Sequence, residues 1–280
     1  MRKIVEEALS IMGGKGSRAL GGYKAALFEK GLWKRAAALA FDDMDRYLDW
    51  LRSDCLEQAV LRDTLLIHVS SFYRDPLMFE IMANRILPKI VRRKRNEKRA
   101  EIRIWSAGCA TGEEAYSIAT LVAECLKSET RRWDFHVFGT DINEDALAVA
   151  RRGCYEREVF GNMKLHLFDR YVDAVGGGYA LRRSIRKSVH FSCDDLLSEG
   201  SLAPSESIFG EFDLVLCRNV LIYYESDYQR KIVERLYRVL NNHGYLILGD
   251  SESIVDGFDL KTIDYGNRIY RKEEGDKWTS

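Results

Sequence analysis

The stretch IWSAGCATGEEAYSIA, Ile104 to Ala119, decides the fold. It opens apolar, passes through the small residues Ser106-Ala107-Gly108-Cys109-Ala110-Thr111-Gly112, and continues as an amphipathic helix from Glu113. Strand, glycine-bearing turn and helix make the opening unit of a parallel α/β sheet. Such turns usually receive phosphate, because free N–H groups and the helix dipole favour an anion there. Here two carboxylates, Glu113 and Glu114, stand at the helix start. That suggests a ligand other than a phosphate, one carrying hydroxyls or positive charge. The loop is not GxGxxG, since only Gly108 and Gly112 are glycines, and this weakens a nicotinamide or flavin reading.

Working outward, β-rich runs recur at IRIW (102–105), FHVFGT (135–140), VHFS (189–192), FDLVLC (212–217), YLILG (245–249) and RIYR (268–271). Helix-like segments lie between several of them, at 113–127, 144–152 and 227–240. Alternating strands and helices imply a mainly parallel sheet covered on both faces, with the ligand at the carboxyl ends of the first strands. One piece, YVDAVGGGYALRRSIRKSV (171–189), breaks the alternation and reads as short strands around Gly176-Gly177-Gly178. It is expected to be a β insertion, about 155–188, standing off the sheet. SEGSLAPSESIFGEF (198–212) reads as an exposed loop.

Before residue 90 the grammar differs. Phe41, Met44, Tyr47, Leu48 and Leu51 form one helical stripe, and Leu56, Val60, Leu61, Leu65 and Leu66 another. Pro76 fits a helix start, with Phe79, Met82, Ile86 and Leu87 behind it. The expected division is a helical domain over 1–91, a solvated basic linker over 92–100 carrying RRKRNEKR (92–99), and an α/β domain over 101–280.

The 280 residues are 46% hydrophobic and 31% charged, which fits a packed, soluble chain without a membrane span. The first residues lack the apolar core of a secretory signal. Zero net charge conceals a basic first hundred residues, with 20 Lys and Arg against 13 Asp and Glu. Six cysteines without a CxxC pair exclude a zinc or disulfide framework and suit a reducing cytoplasm. The five histidines never fall within four residues of each other, so no metal site is expected.

Four successive strand ends carry small or polar ligand-type residues. After the loop at Gly108 come Gly139-Thr140-Asp141, where an acid can hold both hydroxyls of a ribose. Asp194-Asp195-Leu196 follows, suited to an exocyclic adenine amine, and then Cys217-Arg218-Asn219-Val220-Leu221-Ile222-Tyr223-Tyr224 at the reacting end. The set describes a nucleoside site without phosphate, for which S-adenosylmethionine is the obvious candidate. Asp141 as a plain helix N-cap, and Tyr223 and Tyr224 as core aromatics, are the bland alternatives. Arg74 could likewise simply pair with Asp75.

SSFYRDPLMFE (70–80), WSAGCATGEEAYS (105–117), FGTDIN (138–143), FDLVLCRNVLIYY (212–224) and GYLILGDSES (244–253) carry a resemblance, in order and spacing. The chain resembles the CheR-type family, S-adenosylmethionine-dependent methyltransferases that esterify glutamates on bacterial chemotaxis receptors. The resemblance runs from about residue 20 to 272. It implies a Rossmann-like class I methyltransferase domain, mainly parallel with an antiparallel last strand, an inserted small β-subdomain and a small all-α N-terminal domain. It also implies glutamate O-methylation, a cytoplasmic location, and the cytoplasmic part of chemoreceptors as partner, without nucleic acid, metal or membrane insertion. The β insertion is offered as a docking place for a receptor tail, without deciding whether one binds.

Carried over by residue, the resemblance puts Arg74, Arg218 and Tyr223 at the reaction. It puts Ser70, Arg74, Ala107, Gly108, Glu113, Asp141, Ile142, Asp195, Leu196, Arg218 and Asn219 on the cofactor, with Glu114 able to share Glu113's role. Tyr73 replaces a Phe of the family pattern, Asp195 a frequent Asn, Ala115 a common Pro, His68 a common Asn and Asp250 a frequent His. A non-catalytic cofactor-binding docking protein, or a methyltransferase for another acceptor, stays open. An Asp/Asn-Pro-Pro-aromatic motif for base methylation is absent, since Pro76, Pro88 and Pro204 are isolated.

Overall fold

The computed structural model describes residues 2–13, 20–65, 70–97, 99–198, 200, 202–207, 211–254 and 257–274. Leu66 and His68 lie outside these.

Among the described residues, the chain opens with the helices α1 (Arg2–Met12), α2 (Ala25–Ala38), α3 (Met44–Ser53) and α4 (Cys55–Leu65). Asp43 caps α3 by accepting the Asp45 N–H at 2.8 Å. Phe28, Leu32, Tyr47, Leu48, Leu51 and Leu61 fill their shared core. The stripe expected on α4 divides: Leu61 and Leu65 are buried, while Leu56 is 80% exposed and Val60 partly so. The helix is turned by Glu57, whose buried carboxylate accepts both Arg35 Nε and Nη2 at 2.6 Å and the Tyr47 hydroxyl at 2.9 Å. Glu57, Leu61 and Leu65 are spaced by four, so they share the inner face.

The segment from Pro76 runs as α5 (Pro76–Ile81), a π turn (Met82–Ile86) and α6 (Leu87–Lys94). Pro88 has no N–H to continue the α ladder, which accounts for the widened turn before it. The basic run is not a solvated linker from its start. Arg92–Lys94 are the last turn of α6, where Arg93 Nη2 and Lys94 Nζ meet the fully buried Asp213 at 2.7 and 3.1 Å. A buried anion needs partners, and these two cations supply them.

The main sheet has the order β6-β2-β1-β7-β8-β10-β9. Its strands are β1 (Glu101–Ala107), β2 (Asp134–Asp141), β6 (Val189–Cys193), β7 (Phe212–Cys217), β8 (Leu240–Leu248), β9 (Leu260–Asp264) and β10 (Ile269–Lys272). The first five pair in parallel; β10 is antiparallel to both β8 and β9. Helices α7 (Glu113–Leu126), α8 (Glu144–Arg152) and α11 (Ser226–Val239) connect or cover the strands. This is a Rossmann-like, mainly parallel α/β fold, and its strand order reverses at β1. A crevice therefore opens above the carboxyl ends of β1, β2 and β7. Strand β9 was not foreseen, because its residues are mostly exposed and lack an alternating pattern.

Between α8 and β6, β3 (Cys154–Tyr155), β4 (Val172–Val175) and β5 (Gly178–Leu181) form a separate antiparallel sheet, β3-β5-β4. It is joined by α9 (Leu165–Tyr171) and α10 (Arg183–Arg186). The β4–β5 hairpin turns at Gly176-Gly177, with Gly177 at φ +94°. The insertion does not stand wholly off the main body. Tyr155 donates its hydroxyl to the Thr111 carbonyl at 2.8 Å, and Phe160 stacks on Phe72 at 4.3 Å.

Candidate active site

The turn after β1 is held by backbone geometry. Gly108, Ala110 and Gly112 have φ of +75°, +48° and +94°. A Cβ on Gly108 would fall 2.3 Å from Val220 Cγ2, so only glycine fits beside the β7 loop. The Gly108 and Cys109 N–H groups donate to the Thr140 carbonyl at 2.7 and 2.9 Å, locking this turn to the end of β2.

Asp141 completes that lock. One carboxylate oxygen accepts the Ala110 N–H at 2.8 Å and the other the Asn143 N–H at 2.9 Å. It is not the N-cap of α8. Asn143 takes that place, accepting from the Asp145 and Ala146 N–H groups at 2.8 and 3.1 Å. Each Asp141 oxygen keeps a further lone pair, enough to accept two hydroxyls. Asp141 lines a cavity with Tyr23, Ile142, Asp195, Leu196 and Val220.

Arg235 of α11 sets the third strand end. Its guanidinium takes both oxygens of Asp194 at 3.0 and 2.9 Å and the Asp195 carbonyl at 2.8 Å. Burial raises the Asp194 carboxyl, and Arg235 opposes the rise. Asp195 keeps its own carboxylate at the cavity wall, with one oxygen accepting the Leu197 N–H at 2.9 Å.

A second cavity adjoins the first, sharing Gly108, Ala110, Asn219 and Tyr223 with it. Ser70, Arg74, Phe79, Glu114 and Arg218 line it from the other side. Two adjacent glutamates point differently, because successive helix residues are turned by about 100°. Glu114 accepts the Ser106 hydroxyl at 2.7 Å and Arg218 Nη1 at 3.2 Å, at the cavity wall. Glu113 is buried, accepts the Thr111 hydroxyl at 2.7 Å, and is hydrogen-bonded to Ser70. Burial raises its carboxyl, and these hydroxyls counter the rise.

Arg218 also pairs with Asp75 and donates to the Arg74 carbonyl at 3.3 Å. Its Nε–H is buried without a partner among the described residues. Tyr73, at φ +55°, anchors the segment from behind: its N–H donates to Ser117 Oγ at 3.0 Å, and its hydroxyl shares a 2.6 Å hydrogen bond with Thr120. Burial raises the Tyr223 hydroxyl, while the charge of Arg74 lowers it.

Of the residues selected from sequence, Ser70, Arg74, Gly108, Asp141, Ile142, Asp195, Leu196, Arg218, Asn219 and Tyr223 line one or both cavities. Ala107 ends β1, fully buried, and Glu113 supports Ser70 and Thr111 without forming either wall. Tyr23 was missed. It stacks on Tyr223 at 5.9 Å and meets Tyr224 edge-on at 4.9 Å. The Lys24 N–H donates to the Tyr223 carbonyl at 2.8 Å, and that of Glu225 to the Gly22 carbonyl at 2.9 Å. Nothing near Tyr23 in the sequence signals a partner two hundred residues away.

Among the described residues no three His, Cys, Asp or Glu side chains gather to hold a metal, and no helix is long and apolar enough to cross a membrane. The family model for the CheR methyltransferase, SAM binding domain, matches residues 68–266. The chain is 31% identical over 260 residues to the chemotaxis protein methyltransferase of Salmonella typhimurium, covering 90% of this chain and 83% of that protein. It is 28% identical over 243 residues to the chemotaxis protein methyltransferase of Borreliella burgdorferi, covering 86% and 84% respectively. An uncharacterized 104.1 kDa protein of Rhodobacter capsulatus is 32% identical over 250 residues. That match takes in 89% of this chain but 25% of the relative, so the chain spans a quarter of that protein's length.

Proposed function

The chain belongs to the CheR methyltransferase family, and we propose that it methylates glutamate side-chain carboxylates of a chemotaxis receptor or related signalling protein. The products are glutamate methyl esters and S-adenosylhomocysteine. In this reading the partner is the cytoplasmic part of a chemoreceptor, and the reaction takes place in the cytoplasm.

One observation carries the reading: two adjoining cavities, one lined by Asp141 and Asp195 and the other by Arg74, Arg218 and Glu114, share Gly108, Asn219 and Tyr223. The first has carboxylates and apolar side chains and suits a nucleoside without phosphate; Asp141 takes the ribose hydroxyls, and Asp195 with Leu196 the adenine. The second brings the cations Arg74 and Arg218 beside Tyr223, and suits a carboxylate acceptor. The residues also fit the cofactor's amino-acid end, since Arg218 retains a buried donor without a partner. When bound, S-adenosylmethionine supplies an electrophilic methyl on a positively charged sulfur.

A glutamate carboxylate ionises near pH 4.3 and is already a nucleophile at neutral pH, so no base has to remove a proton. What remains for the protein is alignment at near-attack distance in a partly dry cleft. Tyr223, whose phenol burial pushes further above its ordinary value of about 10, can donate its hydroxyl to the acceptor. Arg218, already engaged by Asp75 and Glu114, orients the acceptor without forming a tight new pair that would quench its nucleophilicity. Cys109, beneath the turn, stays a protonated thiol: burial first, then the charges of Asp141, Glu114 and Glu113, push it well up. It therefore offers no competing nucleophile.

The test uses radiolabelled S-adenosylmethionine and membranes from the source organism. Label should enter receptor-sized protein and leave as methanol in mild base, as a carboxyl ester must. Alkali-stable label would move the acceptor to an amine or another group. Cofactor binding without any transfer would favour a docking protein.

A further inference from the structure

Glu252 lies beyond β8, outside the four strand ends that line the cavities, yet its carboxylate is buried beneath one of them. Four backbone N–H groups converge on it. Oε2 accepts from Gly249 at 2.6 Å and Asn219 at 3.0 Å; Oε1 accepts from Val220 at 2.8 Å and Ile222 at 3.2 Å. No cation pairs with it among the described residues. Burial raises the Glu252 carboxyl, and the four N–H donors oppose the rise, since every group touching the carboxylate is a donor and none is an acceptor.

The partners explain its place. Three of the four belong to one turn, 219–222, which follows β7 and delivers Asn219 to both cavities and Val220 to the first. Asn219 sits at φ +59°, a conformation a non-glycine residue holds only when its surroundings impose it. The fourth partner, Gly249, has no room for a side chain: a Cβ there would lie 2.8 Å from Glu252 Oε2 and 2.9 Å from the Asn219 nitrogen. Tyr223 follows directly, its N–H bonded to the Val220 carbonyl at 3.2 Å.

We infer that Glu252 is a positioning residue for the methyl transfer proposed above, acting through the backbone of 219–222 to hold Asn219 and Tyr223 at both cavities. The inference rests on that functional reading and adds a residue that never touches the reactants. Glu252→Gln is the discriminating change. An amide has almost the same shape but presents an NH2 to two of the four donors, so half the clamp turns repulsive. Glu252→Asp keeps the charge and loses one methylene of reach.

The experiment measures S-adenosylhomocysteine affinity by calorimetry at 10 °C for the wild type, E252Q and E252D. Melting midpoints are recorded alongside, together with KM for the cofactor and kcat. The expected result is a folded E252Q with at least fivefold weaker binding, and E252D between it and the wild type. A folded E252Q weakened by less than fivefold, with only its midpoint lowered, makes Glu252 a structural residue and overturns the inference. If E252Q does not fold, E252D decides: weakening of threefold or more supports the role, and less overturns it. A wild-type chain that does not bind S-adenosylhomocysteine removes the cofactor reading and this inference with it, a failure distinct from the others.

Discussion

Arg218 is buried to 1% exposure at its side chain and divides its guanidinium between two carboxylates, Asp75 and Glu114. Asp75, at φ +61°, belongs to the segment preceding α5; Glu114 belongs to α7, which begins the α/β sheet's first crossover. One cation thus aligns two separate pieces of the cavity wall. Replacing Asp75 by Asn leaves Arg218 with Glu114 alone and frees it to re-aim toward the cavity. Transfer should then fall at least tenfold, about 1.4 kcal/mol in barrier. Asn still offers Arg218 a neutral hydrogen-bond acceptor and Glu114 keeps its charge paired, so activity should fall further than the folded fraction does. Activity that fell only in proportion to folded protein would make the pair structural. Asp141 is the second residue to change. Asp141→Ala removes the acceptor of the Ala110 and Asn143 N–H groups and the proposed ribose hydroxyls. Charge-assisted hydrogen bonds contribute about 1.5–3 kcal/mol each. Calorimetry with S-adenosylhomocysteine should show at least tenfold weaker binding, and unchanged affinity in a folded variant would exclude the ribose assignment.

Among elements, the pairing of β2 with β6 carries its own pH dependence. His136 Nδ1 and His190 Nε2, on these adjacent strands, lie 2.9 Å apart, which requires one ring nitrogen to accept. Burial first, then the neighbouring His136, depress the His190 pKa below its ordinary 6.5; Arg103 adds to this, and Glu206 opposes it. Glu101 lies 3.9 Å from the far nitrogen of His136. The folded state thus holds His190 neutral while the unfolded chain takes up a proton near 6.5. With more protons on the unfolded side, stability rises with pH through this window. It is complete above about 6.5 and is lost as pH falls toward the depressed value. Urea unfolding at pH 7.5 and 5.5 should show a wild-type loss that shrinks in His190→Gln. An equal loss in both proteins would assign the slope to other groups.

Across the whole molecule, the helical segment and the sheet are joined by buried charge. Asp213 in β7 is fully buried and meets Arg93 and Lys94 of α6, the Arg103 N–H at 3.0 Å and Asn241 Nδ2 at 3.1 Å. Removing one partner from a buried ion pair typically costs about 3–5 kcal/mol, because the remaining charge is stranded. Asp213→Ala should therefore lower urea-unfolding stability by about that amount while sparing the distant cavities. A loss under about 1 kcal/mol would show that solvent reaches the cations and replaces the carboxylate. Asn143 Nδ2, donating to Asp63 of α4 at 2.8 Å, and the Gly22–Lys24 strap on Tyr223 are further ties between the helices and the crevice.

Local chemistry made much of this legible. Apolar runs with a period of two or none mark six of the seven main strands, and the glycines at 108 and 112 mark the turn that must reverse tightly into α7. Because parallel strands deliver their ends to one edge, the residues after β1, β2, β6 and β7 could be assigned to one crevice without coordinates. Side-chain direction and distant partners were not legible. Whether Glu113 or Glu114 reaches the wall depends on the rotation of α7, and Asp194 is drawn to Arg235 by the packing of α11. The basic run at 92–99 looks solvated until Asp213 is brought beneath it, 120 residues later. Tyr23 and Glu252 are brought to the site by contacts with the β7 loop. Sequence period encodes which face of an element is buried, since that depends on neighbours a few residues away. The identity of the group across the interface depends on how whole elements pack, and only the tertiary structure supplies it.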